Sequence, residues 1–352
     1  MRGRKPALVT VVLTAIVSVA AGSATATAPG KNGRIAFRRY LDVDKTRSAI
    51  FTANPDGKGV RQVTHPRAGV DDRRPDWSPR GAKVALERKV PCPAGGANDG
   101  LNNTCDLVYT VNENGKGLKR LVGCRFKVAT GTGTPDRDCV GVDDPAWSPD
   151  GARIAFQYNL VDKAFSGSLN VNAGIWIVKT NGTGLQQVTQ RTPGTTWDFG
   201  PGWSPDGRKL AFVRVDLVRQ ADAIFTVNAD GSGLTQVTPW ELNGGDRADW
   251  SPDGRWILFR VEGADRSSNI YKVHPDGTDV TNLTKQGAAG YHYLSASFSP
   301  SGTQIVTSRT PGAGPERAAD VVVMKADGSH ARWVTKTRLW ESATDWGAAP
   351  LR

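Results

Sequence analysis

Short apolar runs separated by turn residues follow one another along most of the chain. Typical runs are Ile35-Ala36-Phe37, Ile154-Ala155-Phe156 and Ile257-Leu258-Phe259. Gly, Pro, Asn and Asp stand between such runs, which is typical of short strands joined by tight turns and not of helices. The pattern therefore predicts an all-β protein.

One motif recurs at regular positions and marks the start of a repeating unit. In the clearest copy, Trp203-Ser204-Pro205-Asp206-Gly207 leads into the apolar run Leu210-Ala211-Phe212. Pro presets φ and Gly supplies a positive φ, so Ser-Pro-Asp-Gly predicts a tight turn in which Asp bonds its own backbone. The aromatic anchors before the turns are Trp77, Trp147, Trp203, Trp250, Phe298 and Trp346, at intervals of 70, 56, 47, 48 and 48 residues. Because the anchor Trp residues repeat with the fold, we expect them to pack between units.

A second motif lies between successive anchors. The run Ile224-Phe225-Thr226-Val227 is followed by an Asp-Gly turn and by Gln236-Val237-Thr238, and six copies of this half occur. Each complete unit then has four short strands, A to D, with strand A ending at the anchor. A four-stranded sheet repeated about every 48 residues is typical of a propeller blade.

The two ends of the chain predict how the array closes. Asn32–Phe37 has the pattern of strand B without a strand A, and Ala343–Gly347 that of a strand A with nothing after it. We therefore predict a six-bladed β-propeller of four-stranded antiparallel blades, in which the N- and C-terminal strands share one blade and remove an open edge. The predicted propeller domain is residues 27–352, with blades at roughly 33–64 plus 343–347, 74–122, 144–189, 201–238, 247–284 and 295–335.

These units resemble the TolB-type β-propeller repeat. The resemblance rests on Trp-Ser-Pro-Asp-Gly followed by Ile-Ala-Phe, and on Asn-Ala-Asp-Gly, and it covers nearly all of the chain after the first 30 residues. It implies the propeller fold strongly. TolB itself carries an α/β domain before its propeller, which we expect this chain to lack. The function implied by such a fold is broad, because one fold supports many activities.

The first residues predict export. Arg2, Arg4 and Lys5 precede an apolar stretch, and Ala24-Thr25-Ala26 supplies a small-residue cleavage pattern. This is the build of a secretory signal peptide, predicted to be residues 1–26, with an uncleaved membrane anchor as the alternative. Cleavage would leave no transmembrane segment and a net charge of +8 in place of +11. The expected location is the periplasm or the extracellular space.

Four cysteines fall within 48 residues, and the rest of the chain has none. An even, clustered set in an exported protein indicates disulfides. The spacings favour the pairs Cys92–Cys105 and Cys124–Cys139. A four-cysteine zinc site is the alternative, but it would normally show shorter spacing within each pair.

Loop lengths predict where a function lies. The tight turns keep nearly constant length on one face, here the short-turn face, whereas the B–C loops and D–A crossings vary on the opposite, long-loop face. Insertions gathered on one face of a repeat array usually mark its binding face. Aromatic faces beside charged groups suit sugars or peptides. The candidate binding residues are Arg73, Arg74, Asp143, Asp144, Trp197, Asp198, Asp246, Arg247, Tyr291, His292, Trp340 and Glu341.

No catalytic motif stands out in the sequence. His65 and His292 are predicted on the long-loop face, where either one beside a carboxylate would suit acid–base chemistry. The leading hypothesis is a monomeric, non-catalytic propeller that binds an envelope or extracellular protein or glycan. A glycan-active enzyme, either a polysaccharide lyase or a hydrolase, is the alternative. The basic residues do not cluster as a nucleic-acid footprint would. No cofactor or metal is predicted, although a calcium ion in the channel is left open.

Overall fold

The computed structural model describes residues 29–91, 104–123, 139–162, 170–190, 195–263, 267–285, 291–310 and 318–350. Within these ranges the regular structure is 24 strands and one short 3₁₀ turn at Trp240–Leu242. The predicted signal peptide, residues 1–26, lies outside them. No helix in the described ranges is long and apolar enough to cross a membrane.

The strands follow one another in a regular order along the chain. The first eight are β1 (Asn32–Tyr40), β2 (Ser48–Ala53), β3 (Arg61–Gln62), β4 (Asp71–Trp77), β5 (Lys83–Pro91), β6 (Thr104–Asn112), β7 (Lys119–Val122) and β8 (Cys139–Trp147). The next eight are β9 (Arg153–Asp162), β10 (Asn170–Lys179), β11 (Gln186–Gln187), β12 (Thr196–Trp203), β13 (Lys209–Asp216), β14 (Ala221–Asn228), β15 (Thr235–Gln236) and β16 (Gly244–Trp250). The last eight are β17 (Ile257–Glu262), β18 (Ser268–Val273), β19 (Thr281–Asn282), β20 (His292–Phe298), β21 (Gln304–Thr310), β22 (Asp320–Lys325), β23 (Arg332–Trp333) and β24 (Glu341–Ala348).

Antiparallel pairing groups the described strands into units of four. Unit 1 has the order β24-β1-β2-β3, and units 2 to 6 are β4–β7, β8–β11, β12–β15, β16–β19 and β20–β23. Units 2 and 3 form one eight-stranded sheet because a single parallel bridge joins Asp106 to Gly141. Units 5 and 6 are joined in the same way by Ser268 and His292.

Side chains of the repeated motifs satisfy the backbone at the turns. Ser148 Oγ accepts a hydrogen bond from Arg153 N at 2.8 Å, and Asp150 Oδ1 accepts one from Ala152 N at 2.9 Å. The prediction that this Asp bonds its own turn is therefore confirmed. At the other end of units 1, 3, 4, 5 and 6, a Thr hydroxyl accepts from a strand-C amide 14 residues earlier, as between Thr238 and Ile224 at 2.9 Å. Unit 2 has Val122 at this position.

The hydrophobic core lies between consecutive units. Trp203 of unit 4 packs against Ile177 of unit 3, and Trp250 of unit 5 packs in a cluster with Val213 of unit 4. A further cluster contains Val323 of unit 6 and residues of unit 1. The anchors Trp77, Trp203, Trp250 and Trp346 are buried in such clusters, which confirms the predicted packing role of these four.

The two ends of the described chain meet in unit 1. Ile35 of β1 lies opposite Trp346 of β24, and Ala36 lies opposite Asp345. Trp346 is 1% exposed and packs in the cluster that contains Val323. The predicted pairing of the segment near Ile35 with Trp346 is thus present.

Candidate functional site

The first strand of each unit, here called the innermost strand (β24, β4, β8, β12, β16 and β20), is longer than the sequence pattern suggests. The sequence placed Arg73, Asp143 and Asp246 in loops that cross between units, but they lie within β4, β8 and β16. The register of these strands shifts a few residues before the aromatic anchor, for example between Arg73 and Asp76. This bulge breaks the two-residue alternation by which a strand is recognised in sequence.

The bulges place several residues in the left-handed backbone region. A positive φ there is costly for a residue with a side chain and tends to be found at functional sites. Only one of these positions is a glycine. The residues are Arg74 (φ 52°), Asp144 (φ 48°), Gly200 (φ 60°), Asp246 (φ 64°) and Ala343 (φ 50°).

A pocket of about 230 Å³, here the mouth pocket, is lined by residues at four of these bulges. Its walls come from β1, β4, β8, β16, β20 and β24 together with Trp340 just before β24. The lining residues are Arg38, Arg73, Arg74, Asp144, Asp246, Arg247, Leu294, Ser295, Trp340, Ser342 and Ala343. Six of the twelve candidate residues are therefore brought together here.

Two arginines of the mouth pocket cover a buried glutamate. Arg73 donates to Glu87 Oε1 at 2.5 Å and to Asp106 Oδ1 at 2.9 Å. Arg74 pairs with Asp144, and its Nε lies 3.3 Å from Glu87 Oε2. The Glu87 side chain is 1% exposed, whereas that of Arg74 is 39% exposed. Arg74 therefore presents part of its guanidinium to solvent above an acidic layer.

Two buried carboxylates of this acidic layer, Glu87 and Asp143, hold their protons more tightly than usual. Burial raises the pKa of Glu87 to about 7, against the opposing effect of Arg73. Burial also raises the pKa of Asp143 well above its ordinary value, and the neighbouring charges of Glu87 and Asp144 act in the same direction. Glu87, Asp106 and Asp143 each bring one oxygen within 4.8 Å of the others, so these three are the described residues placed to hold a metal ion.

Arg247 closes the bottom of the mouth pocket. Its guanidinium crosses from β16 to β4, where it donates to Asp76 Oδ1 at 2.5 Å and to Pro145 O of β8 at 2.9 Å. It also lines a second cavity of about 40 Å³ with Asp76, Asp249 and Asp345. Arg247 thus lines both cavities, and its guanidinium is engaged by β4 and β8.

The other candidate residues lie outside the mouth pocket. Asp198 is buried and makes a two-point ion pair with Arg214, at 2.7 and 2.8 Å. Glu341 is buried and pairs with Arg39 at 2.6 Å. These contacts stay within one sheet and favour a structural role for both carboxylates.

The aromatic and histidine candidates are half-buried rather than gathered around one cavity. Trp197 packs edge-on against Phe199, and Tyr291 stacks under the guanidinium of Arg309. Trp340 lines the mouth pocket and lies under Lys45 Nζ at 4.0 Å. His292 joins units 5 and 6 by its backbone. The binding role of all twelve candidates stays a prediction.

Several site residues were missed from the sequence. The sequence did hint at Glu87, since a charged residue that directly follows the continuous apolar run Val84-Ala85-Leu86 is expected to be buried with it. It also hinted at Asp76, because Asp precedes the anchor Trp here and again in Asp249-Trp250 and Asp345-Trp346. Asp106 sits between Cys105 and Leu107 with no such signal.

The cysteine predictions fall largely outside the described residues. Cys105 is buried at 1% exposure. Cys92 and Cys124, one from each predicted pair, are not among the described residues. Both predicted pairings therefore stay predictions.

Two bacterial proteins are similar to this chain in sequence. Atu1656, an uncharacterised protein of Agrobacterium fabrum, is 28% identical over 232 residues, which are 66% of this chain and 64% of that protein. YuxL, an uncharacterised peptidase of Bacillus subtilis, is 33% identical over 122 residues, which are 35% of this chain and 17% of that protein. This chain thus spans less than two thirds of the length of each of these relatives.

A solved structure and a family model agree on the fold. TolB from Acinetobacter baumannii superposes with a TM-score of 0.62 at 17% identity, over 90% of this chain and 67% of that one. The model of the TolB beta propeller domain matches residues 142–346, more than half of the chain. The chain, with its repeated Trp-Ser-Pro-Asp-Gly units and all-β structure, therefore belongs to the TolB β-propeller family.

Proposed function

We propose that this chain is an exported six-bladed β-propeller that acts as a monomer in the periplasm or outside the cell. Its function is to bind a protein or glycan of the cell envelope through the long-loop face. The ring is supported by the six four-stranded units, by the cores between consecutive units, and by the pairing of Ile35 with Trp346. Export is supported by the pattern of residues 1–26.

The mouth pocket is the observation that carries the binding proposal. It gathers arginine side chains from separate strands around an opening of about 230 Å³, with Trp340 at its rim. Arginine forks bind carboxylate and hydroxyl groups with defined geometry, and an indole ring stacks on sugars or apolar side chains. Such a surface suits a polar partner that also presents a flat apolar face.

The test removes the aromatic side chains of the long-loop face together. The triple variant W197A/Y291A/W340A should bind isolated envelope fractions and an array of envelope glycans at least about 10-fold more weakly than the wild type. These half-buried side chains pack on Phe199, Arg309 and Lys45, so the melting temperature should fall. Binding is therefore compared at a temperature at which circular dichroism shows the variant to be folded. Binding is measured with the labelled mature chain, residues 27–352.

A matched control removes three exposed apolar side chains near the turns of the opposite face. The variant V60A/L118A/L234A should bind as the wild type does, since these positions are 38–45% exposed and none of them lines the mouth pocket. Equal binding by the aromatic triple variant would overturn the assignment of the long-loop face. Turnover of a uronate-containing polymer that is lost in His292→Ala would favour the catalytic alternative instead.

A further inference from the structure

A groove of about 940 Å³, here the side groove, lies between units 4 and 5. It is bounded by the β13–β14 connection, by the crossing from β15 to β16 and by the end of β17, which are segments that we predicted on the long-loop face. Asp246 lines the mouth pocket and lies 3.7 Å from Arg260, which lines the side groove. A partner seated on the mouth pocket would therefore reach the side groove as well.

Apolar side chains from both units form part of the walls. Val215 and Leu217 come from unit 4, Leu242 from the crossing, and Val261 from unit 5. Leu217 is 41% exposed and Leu242 is half-buried, so part of this apolar surface is open to a ligand. The methylene stem of a long charged side chain packs well on such a surface while its head group stays in a polar place.

The charged side chains of the side groove are mostly acidic. Asp222, Glu241 and Glu262 line it, against one guanidinium among the described lining residues, that of Arg260. Arg260 already contacts Glu262 at 3.3 Å and Asp246 at 3.7 Å. The side groove is thus locally negative in a chain whose formal net charge is +11.

Asp222 is the carboxylate that lacks a direct partner. A Cβ at Gly245 would fall 2.7 Å from Asp222 Oδ2, so the glycine allows the carboxylate to lie close to β16. Among the described residues, none donates a hydrogen bond to this side chain, and burial raises the pKa of Asp222 against the opposing charge of Arg260. A half-buried carboxylate without a donor gains from a cation that a ligand supplies.

We propose that the side groove binds a lysine side chain of a protein partner, with its ammonium group at Asp222 and its methylene stem on the apolar walls. The inference rests on the proposed function and names the chemistry that this part of the long-loop face recognises. A compact ammonium donates hydrogen bonds in several directions and so suits carboxylates from different elements, whereas a planar guanidinium suits one carboxylate. The neighbouring mouth pocket has four arginines against two carboxylates, so the opposite charges of the two sites would orient the partner.

Fluorescence anisotropy of a labelled pentalysine peptide with the mature chain tests this proposal. At pH 7.0 in 50 mM NaCl we expect a dissociation constant of about 100 μM or tighter. The net positive charge of the protein opposes attachment of this peptide elsewhere on its surface. A pentamer of 2,4-diaminobutyrate has the same charge but side chains shorter by two methylene groups, and it should bind about 5-fold more weakly or worse.

Matched variants locate the contact. Asp222→Asn keeps the shape of the side chain and removes its charge, so it should weaken pentalysine binding by about 10-fold. Asp44→Asn is the control, because Asp44 is an exposed carboxylate of unit 1 that does not line the side groove, and it should keep the wild-type affinity. Leu217→Ser should weaken binding by about 3-fold through loss of the apolar wall. Circular dichroism shows whether each variant is folded.

The wild-type measurement keeps the proposal falsifiable even if a variant fails to fold. Absence of pentalysine binding by the wild type at 500 μM protein would overturn the site, and so would undiminished binding by folded D222N. Equal binding of the two peptides would mean that charge alone attracts them and would overturn the assignment to lysine.

The outcome is separable from that of the proposed function. The triple variant W197A/Y291A/W340A should keep its pentalysine binding, because none of these residues lines the side groove. Capture of envelope material by a wild-type chain that does not bind pentalysine would overturn this inference and leave the proposed function standing.

Discussion

At the scale of single residues, an acidic side chain before the anchor aromatic links one unit to the next. Asp76 Oδ2 accepts from Trp147 N at 2.7 Å, and Asp249 Oδ2 accepts from Phe298 N at 2.7 Å. Asp345 makes the equivalent contact with the Trp77 amide at 2.6 Å. Each bond satisfies a backbone amide in the first strand of the following unit. The three carboxylates are largely removed from water, and Arg247 is the cation that they share.

Asp249 should make the stability of the protein depend on pH. Burial raises the pKa of Asp249 well above its ordinary value, and the charges of Asp345 and Asp76 add to this, while Arg247 and the Phe298 amide oppose it. An acid with a raised native pKa binds its proton more tightly when folded. Its stabilising contribution is therefore complete at low pH and is lost as pH rises toward the native pKa.

Asp249→Asn keeps an acceptor for the Phe298 amide and removes the titration. We expect the melting temperature of this variant, relative to the wild type, to rise as pH increases from about 4 and to level off above the native pKa of Asp249. Raising the pKa by 1 in the folded state changes the free energy of unfolding by about 1.4 kcal/mol across this pH range. Ser299→Ala removes a hydroxyl that bonds Gln304 and Ser301, neither of which titrates, so its offset from the wild type should not vary with pH. A pH-independent offset for Asp249→Asn would contradict the argument.

At the scale of elements, the innermost strands of neighbouring units come unusually close. A Cβ at Gly202 of β12 would lie 2.2 Å from Ala248 O of β16, and one at Gly347 of β24 would lie 2.5 Å from the Trp77 ring. The equivalent position in β8 is Ala146, so a Cβ atom has enough space there. The separation between innermost strands therefore differs from one pair of units to the next.

Gly202→Ala should destabilise the protein because β12 and β16 must move apart. Overpacking of this kind costs about 1–3 kcal/mol. Ala146→Gly makes the reverse change at the equivalent position and should cost about 0.5–1 kcal/mol, since only backbone freedom and one methyl group are involved. Urea denaturation midpoints measure both. A Gly202→Ala midpoint equal to that of the wild type would mean that these strands lie further apart.

The same elements show what the sequence does and does not predict. The turn at Ser148 and the anchor Trp203 were predictable, because a tight turn and a repeated buried aromatic depend on local chemistry and spacing. The start of β4 was not predictable, because the bulge near Arg74 breaks the alternation of inward and outward side chains that marks a strand in sequence. The ion pair of Arg247 with Asp76 joins residues 171 positions apart, and no local pattern encodes such a pairing.

At the scale of the whole molecule, the site depends on strands that are distant in sequence. The mouth pocket combines side chains from β1 to β24, so it exists only when unit 6 and unit 1 are held together. The carboxylate cluster is predictable in part, as Asp143 was, but its partners Glu87 and Asp106 come from other strands. Sequence periodicity predicts the repeated frame and the Asp before three of the anchors, whereas no local pattern encodes how these side chains pair between units.

The pairing of β24 with β1 gives a final test at this scale. Ending the chain after Trp340 removes β24, leaves β1 with an open edge, and takes Trp346 out of the core between units 6 and 1. Loss of a buried aromatic alone costs about 3–5 kcal/mol. In a closed ring this loss should lower the unfolding midpoint of the entire protein in one transition, as followed by hydrogen exchange of the backbone amides of units 3 and 4 in increasing urea. A chain ending after Ala348, which keeps β24, is the control and should unfold like the wild type. In an open array each unit would depend only on its neighbours, so a truncated protein in which units 3 and 4 keep their stability would contradict the ring.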